Sequence, residues 1–338
     1  MFVPVFDLDG KTPLMPTTPG RARRWIESGK ATPFWRKGIF CVRLNQEPSA
    51  RETQEIAVGI DPGSKKEGFT VKSTSHTYLN IQADAVTWVE KHVETRRMMR
   101  NSRRLRNTPY RQRRFNRSKS TGFLPPSTKA RWQWKLRVVW WLKKLFPIVH
   151  FVVEDIKAVS KKGQKKWNQS FSPLQIGKNW FYSELSKLGS VSTALGYETK
   201  ALRDSLGLKK SGKKLANLFE AHCVDSWVLA NDHVGGHTKP DNKEIIYITP
   251  LRFHRRQLHR MNPVTGGIRH RYGGTMSLGF KRGSLVKHAL KGLAYIGGYA
   301  KNLISLHDLN TGNRIFKTAK PADLRFLTFN SWRFSTVL

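Results

Sequence analysis

Short apolar runs alternate along the chain with long polar stretches, and their length and period sort them into predicted elements. Residues 2–6 read as a strand, Asp9-Gly10 as a turn, and residues 19–29 as a short basic helix opened by proline and closed by glycine. A second strand is predicted at 39–44, and the polar stretch 45–55 reads as a linker. Residues 56–60 form a continuous apolar run that stops at Asp61-Pro62-Gly63, the pattern of a buried strand ending in a turn. Residues 69–71 and 78–81 predict the next two strands of an antiparallel meander.

From 86 to 107 the period becomes helical, with positions 96, 100, 103, 104 and 107 along one face, and Pro109 breaks it. A tryptophan-rich helix is predicted at 129–146. Its Trp132, Trp134, Trp140 and Trp141 read mainly as core, with Trp134 the best candidate for an exposed stacking surface. Residues 148–153 are apolar and β-branched, as in a central strand. Residues 157–177 read as a basic loop, 179–188 as a helix, 197–202 as a strand and 215–231 as a helix. From 244 onward, short β-like runs at 245–249, 303–306 and 314–317 alternate with glycines. Residues 310–313 resemble a hairpin turn, so this part is expected to be a small twisted β-domain.

Charge changes the picture most. Among 338 residues, 61 Lys and Arg face 23 Asp and Glu, a formal net charge of +38. A compact chain with that excess repels itself unless a polyanion neutralises it, and nucleic acid also gives up condensed counterions on binding. No apolar run is long enough to span a bilayer, so a membrane is not the expected partner. Cys41 and Cys223 are far apart, without a Cys-x-x-Cys partner, which argues against a disulfide framework and a cysteine-rich zinc site. His254, His259, His270 and His288 lie among arginines and read as phosphate-facing or exposed. The first residues carry acids early and lack the long apolar core of a signal peptide, so the expected compartment is the reducing cytoplasm.

In a chain this poor in acids, three carboxylates stand out. Asp61 follows the run 56–60, Glu154 follows 148–153, and Asp225 lies on the predicted helix 215–231, one turn after His222. Converging from two strand ends and a helix, Asp61, Glu154 and Asp225 would hold two Mg²⁺ ions, with Mn²⁺ as an alternative, because hard divalent ions take oxygen ligands. Two such ions about 3.5–4 Å apart activate a water and stabilise the leaving oxygen of a phosphodiester. His222 would position that water or carry a proton. Taken singly, each acid also has a plain reading: a turn residue for Asp61, a surface acid for Glu154, and an arginine partner for Asp225.

These segments resemble a known group. GIDPGSKKEG (59–68), FVVEDI (151–156) and AHCVDSWVLA (221–230) are similar to the three motifs of a split RuvC nuclease. The arginine-rich segment 94–117 resembles a bridge helix. Pro13-Leu14-Met15-Pro16 followed by GRARRWIESGKA (20–31) resembles the PLMP domain that opens the IscB and IsrB proteins, transposon-associated nucleases guided by an omega RNA. IscB proteins carry an HNH nuclease between the second and third RuvC motifs. Here the interval 155–221 holds no histidine, so the chain resembles the IsrB form without HNH.

The resemblance implies an α/β fold with an RNase H-like (RuvC) core and mixed sheet, an arginine-rich bridge helix, a small N-terminal PLMP domain and a C-terminal β-rich domain. The implied boundaries are PLMP 1–54, RuvC part I 55–90, bridge 91–120, RuvC parts II and III 121–243, and a C-terminal RNA- and target-adjacent-motif-interacting domain 244–338. It further implies a nickase that pairs a structured omega guide RNA with double-stranded target DNA beside an adjacent motif and cuts the displaced non-target strand. A monomer within a ribonucleoprotein is the simplest assembly. Nucleic acid would be contacted by Arg96, Arg97, Arg100, Arg103, Arg104, Arg106, Arg111, Arg113, Arg114 and Arg117 of the bridge, and by Arg252, Arg255, Arg256, Arg269 and Arg271 of the C-terminal domain. Two other readings stay open: a guide-independent, resolvase-like nuclease of RNase H fold, and a non-catalytic RNA-binding protein.

Overall fold

The computed structural model describes residues 1–105, 123–157, 172–251, 266–268 and 275–337. In chain order it opens with strands β1 (Val3–Phe6) and β2 (Pro13–Thr17), helix α1 (Pro19–Glu27), and strands β3 (Ala31–Arg36) and β4 (Ile39–Leu44). Then come β5 (Ile56–Asp61), β6 (Lys66–Ser73), β7 (Thr77–Asp84), α2 (Trp88–Arg104), α3 (Pro126–Lys143), β8 (His150–Asp155), α4 (Pro173–Ser186), β9 (Ser190–Leu195) and α5 (Gly196–Ser205). A π-helical turn at Phe219–Cys223 runs directly into α6 (Val224–Val234). The remainder is β-rich: β10 (Ile245–Pro250), β11 (Met276–Ser277), β12 (Phe280–Lys281), β13 (Ser284–His288), β14 (Gly292–Ala300), β15 (Leu303–His307), β16 (Arg314–Ala319), β17 (Leu324–Phe329) and β18 (Trp332–Val337).

The chain divides into two compact units. One holds Met1, Lys11–Met15 and Ala50–Ile245; the other holds Phe2–Gly10, Pro16–Ser49 and Ile246–Leu338. In the first unit five strands lie in the order β7-β6-β5-β8-β9. The first three form an antiparallel meander, and β8 and β9 add in parallel to β5. This order and direction, with helices following the parallel strands, is an RNase H-like core. β5, β6 and all but the last residue of β7 are buried along their length; β5 reads as an apolar run, while β6 and β7 also bury polar side chains such as Glu67, Thr70, Lys72, Asn80 and Gln82. Ile56, Val58 and Ile60 of β5 are fully buried, as are Phe69 and Val71 of β6 and Phe151 and Val153 of β8.

Helix α3 covers this sheet with Trp132, Trp134, Val138, Val139, Trp141 and Leu142. Trp134 is therefore core, and the exposed tryptophan of this helix is Trp140. The expected strand at 197–202 is instead α5. Glu198 reaches back to accept the Leu195 N–H at 2.6 Å, which caps the helix start, and the strand lies just upstream as β9. β9 escaped the pattern because it is a sparsely buried strand in which Ser, Thr and Ala outnumber Val191 and Leu195.

In the second unit, β1 pairs in parallel with β4, which pairs antiparallel with β3. Its other sheet runs β16-β15-β14-β13-β17 over a core of Val286, Ile296, Ile304 and Leu306. The Lys37 N–H donates to Thr328 Oγ1 at 3.1 Å, and Gly38, at φ +89°, lies against the Phe334 ring. Residues from the two ends of the chain are thus packed together. His288, expected at the surface, is buried; its Nδ1 accepts the N–H groups of Leu290 and Lys291 at 3.1 and 3.2 Å and holds the β13–β14 turn. Its charged neighbours in sequence gave no hint of this local role.

A buried ion pair ties α3 to the sheet: Lys135 Nζ lies 2.7 Å from Glu67 Oε1, with both side chains almost wholly enclosed. Burial pushes the Glu67 carboxyl up to about 7, against the pull of the Lys135 ammonium. Removing one member strands the other charge in the interior. Lys135→Met is therefore expected to cost about 3–5 kcal/mol in urea unfolding, while the joint Glu67→Leu, Lys135→Met variant recovers most of that loss.

Candidate metal centre at the ends of β5 and β8

Asp61 is the last residue of β5, and Glu154 lies near the end of β8, its parallel neighbour. Parallel neighbours end on the same side, so both carboxylates emerge at one edge of the sheet. Asp225 arrives from α6, which crosses β5 and β6. What lets α6 come close is glycine. A Cβ on Gly59 would stand 1.8 Å from the Ser226 carbonyl oxygen, and one on Gly68 would stand 2.5 Å from that of His222. The seam is completed by small polar groups, with Thr70 Oγ1 2.9 Å from Ser226 Oγ and 3.0 Å from Asn80 Oδ1. The predicted helix 215–231 in fact begins with the π turn at Phe219, which carries His222 ahead of Asp225.

The result is a cluster in which oxygens of Asp61, Glu154 and Asp225 all lie within 4.8 Å of one another. Asp61 and Asp225 are buried and Glu154 is half-buried. His222 Nδ1 lies 3.0 Å from Asp61 Oδ2, and its Nε2 lies 3.0 Å from the Lys214 carbonyl oxygen. Both ring nitrogens face oxygens, so the ring bonds to both only when both nitrogens carry hydrogen. Arg203 Nη1 donates to Asp225 Oδ1 at 2.6 Å. Lys210 Nζ donates to Asp225 Oδ2 and stands 3.9 Å from Asp61 Oδ2. The arginine partner that Asp225 alone suggested is thus present, beside two further carboxylates.

These positions set the local acidities. Burial, then the nearby Asp61 and Asp225 carboxylates, pushes Glu154 up to about 8. Burial works against the charge on Asp61 too, but the hydrogen bond from His222 and the Lys210 ammonium hold its carboxyl below the usual carboxylate range. Burial likewise opposes the Lys210 charge, yet Asp61, Asp225 and Glu154 hold it above the usual lysine range. Three crowded acids, with a lysine ammonium already among them, form an all-oxygen donor set that fits hard divalent cations. Arg203, Lys210 and the Lys214 carbonyl were not legible in the sequence, since they come from a basic loop and helix like many others in this chain.

The nucleic-acid candidates fall differently. Arg96, Arg97 and Arg100 are exposed on α2, and Arg103 and Arg104 lie in that helix. Arg106, Arg111, Arg113, Arg114, Arg117, Arg252, Arg255, Arg256, Arg269 and Arg271 lie outside the described residues, as do His254, His259 and His270. No helix among the described residues is long and apolar enough to cross a membrane.

Comparison with known proteins adds a family likeness. The family model described as "RRXRR protein" matches residues 3–169, just under half of the chain. Over that stretch the chain resembles the RRXRR proteins. The matched stretch includes Asp61, Glu154 and the arginine-rich helix, and ends before His222 and Asp225. No curated protein matches the chain. Among solved structures, T. thermophilus RuvC in complex with Holliday junction substrate is similar at 13% identity and a TM-score of 0.30, over 54% of this chain and 98% of that chain.

Because α6 rests on bare glycine, Gly59→Ala forces a methyl into the Ser226 carbonyl and is expected to cost about 3 kcal/mol or more in urea unfolding. Gly212→Ala, where nothing lies within 4 Å of the new Cβ, should stay within about 0.5 kcal/mol of the parent.

Proposed function

We propose that this chain is an RNA-guided DNA nickase of the IsrB kind: it binds an omega RNA, pairs the guide with target DNA, and cuts the displaced strand at one RuvC-type site. The observation that carries the catalytic part is the convergence of Asp61, Glu154 and Asp225 from two parallel strand ends and a closely packed helix. The RNA-guided part rests on the sequence resemblance, on the net charge of +38, and on the exposed arginines of α2, which act as the bridge helix in this reading. The likeness of residues 3–169 to the RRXRR proteins accords with it.

Asp61, Glu154 and Asp225 are the residues that would hold two Mg²⁺ ions. Bound divalent ions supply Lewis-acid stabilisation for the charge that builds on a phosphodiester under attack. The chain's own groups prepare that arrangement. His222, anchored on the Lys214 carbonyl, fixes Asp61 Oδ2 and holds a proton at Nδ1, where it can pass into or out of the site. Arg203 locks the orientation of Asp225. Glu154 carries a proton while the carboxylates repel one another and must release it to act as a ligand. Lys210 offsets the negative charge of the cluster. One site of this kind cuts one strand. The interval 155–221, where an HNH nuclease would lie, holds no histidine. In this reading sequence specificity comes from base pairing, while the protein reads the backbone and shape of the heteroduplex.

Two measurements test this. With each strand of a guide-matched target end-labelled, Mg²⁺-dependent cleavage should appear on the non-target strand only, and Asp61→Ala should abolish it while guided binding persists. Cleavage of both strands, nicking without a guide, or an active Asp61→Ala variant would overturn the proposal. Separately, replacing Arg96, Arg97 and Arg100 with glutamine should flatten the log–log salt dependence of RNA binding by about one unit for each phosphate that the helix no longer neutralises. An unchanged slope would mean that α2 does not touch the backbone.

A further inference from the structure

A second built site lies in the β-rich unit, apart from the carboxylates. A cavity of about 340 Å³ opens among β10, β14, β15, β18 and the turn before β13, with Arg282, Tyr295, His307 and Arg333 on its walls. Two of those walls exist because glycine stands behind them. A Cβ on Gly297 would meet His307 Nε2 at 2.1 Å, and one on Gly312, at φ +76°, would meet Arg333 Nη1 at 2.1 Å. Ile296 and Leu251 add apolar surface, and among the described residues no acidic one lines the cavity.

The polar groups of this cavity are biased toward donation. Arginine can only donate, so in the hydrogen bond between Arg333 and Tyr295 the phenolic oxygen accepts, which leaves its hydrogen to donate. His307 is the exception: its Nδ1 faces the Gly312 carbonyl at 3.0 Å and carries its hydrogen there, which leaves Nε2, 3.5 Å from Ser305 Oγ, as an acceptor. The nearby carboxylate of Asp308 turns Oδ1 to its own loop, accepting from the Asn310 and Thr311 N–H groups and from Thr311 Oγ1 at 2.7–3.0 Å, while its charge also acts on Arg333. The ligand that fits is rich in acceptors, flat enough to lie along aromatic and aliphatic walls, and larger than a bare phosphate. At 340 Å³ the cavity is in the size range of a small-molecule site.

We propose that this cavity holds one unpaired guanine nucleotide of a nucleic-acid strand, with its O6 and N7 edge on the guanidinium groups of Arg282 and Arg333. Guanine alone among the bases offers two adjacent acceptors on that edge, the pair that an arginine fork matches. A base can enter such a cavity only when unstacked, so the source is a loop, bulge or single strand rather than a duplex. The site concerns binding, not cleavage, so its failure would leave the nickase reading intact.

The experiment measures binding of full-length protein to fluorescent oligouridine, with and without one central guanosine, at salt high enough to suppress non-specific phosphate binding. The guanosine oligonucleotide should bind about tenfold tighter, and 7-deazaguanosine, which lacks N7, should lose most of that gain. Arg333→Gln and Arg282→Gln should each reduce the guanosine oligonucleotide toward the oligouridine level while leaving the thermal melt unchanged. Arg282 lies on the β12–β13 turn, so its variant keeps the test independent of any packing that Arg333 provides. The same pair of strands made as DNA identifies the source: a preference restricted to RNA assigns the site to the RNA partner, and an equal preference admits a DNA strand. Equal affinity for the two RNAs, equal loss on both in the variants, a gain that survives the 7-deaza change, or a preference for guanine only within a duplex would overturn the proposal.

Discussion

The centre of this protein depends on how closely one helix lies on one sheet. Helix α6 rests on β5 and β6 at Gly59 and Gly68, where the carbonyls of Ser226 and His222 occupy the space that side chains would take. Because β5 and β8 are parallel, Asp61 and Glu154 already share an edge. The helix contact adds Asp225 and His222 to that edge. Had α6 sat at the distance ordinary side chains impose, its acid would have stood apart from the other two. The chain accepts the backbone entropy of two strand glycines to bring the carboxylates together.

That closeness creates a second constraint, electrostatic rather than steric. Three acids within 4.8 Å repel one another, and two of them are cut off from water. The protein offsets the repulsion by several routes. His222 supplies a hydrogen bond to Asp61, Arg203 and Lys210 supply positive charge to Asp225, and Glu154 rises to about 8 and keeps its proton. A few acids in a chain of +38 also sit in a field that favours their ionisation and draws polyanions toward them. In the proposed reading a site for cations is thus set inside a surface for phosphates, the pairing that a phosphodiester substrate requires.

Much of this was legible in the sequence, because the two neighbouring parallel strands at the centre of the sheet leave apolar runs. The runs at 56–60 and 148–153 mark β5 and β8, and the acids that follow them mark the sheet edge. What stayed hidden shows little hydrophobic contrast or depends on contacts between distant segments. β9 has only Val191 and Leu195 as large apolar residues among Ser, Thr and Ala, and α5 owes its start to a cap from Glu198 rather than to an apolar face. The choice between Trp134 and Trp140 depends on the rotation of α3 against the sheet, which a helix with basic and apolar residues mixed on every face does not specify. Lys135 could not be distinguished from sixty other cations until Glu67 was found across from it. The same holds for Arg203 and Lys210.

Strand β8 shows why convergence of ligand-type side chains is not enough to define a site. At its far end from Glu154, His150 lies stacked on His233 of α6, with ring centres 3.6 Å apart, and Glu55 stands beside them. By residue type this is a plausible trio for a transition metal. Its atoms are already satisfied, however. Both nitrogens of His150 are engaged by the hydroxyls of Ser190 and Ser192, at 2.6 and 2.8 Å, and His233 Nε2 is engaged by Glu55 at 2.8 Å. Near-parallel rings also direct their nitrogen lone pairs side by side rather than toward a common point. This group clasps β8, β9 and α6 together. The opposite end of the strand differs in its donor set: three crowded carboxyl groups, two of them buried, already hold the cations of Lys210 and Arg203, and such a cluster of oxygens with cationic partners is what suits it to divalent ions.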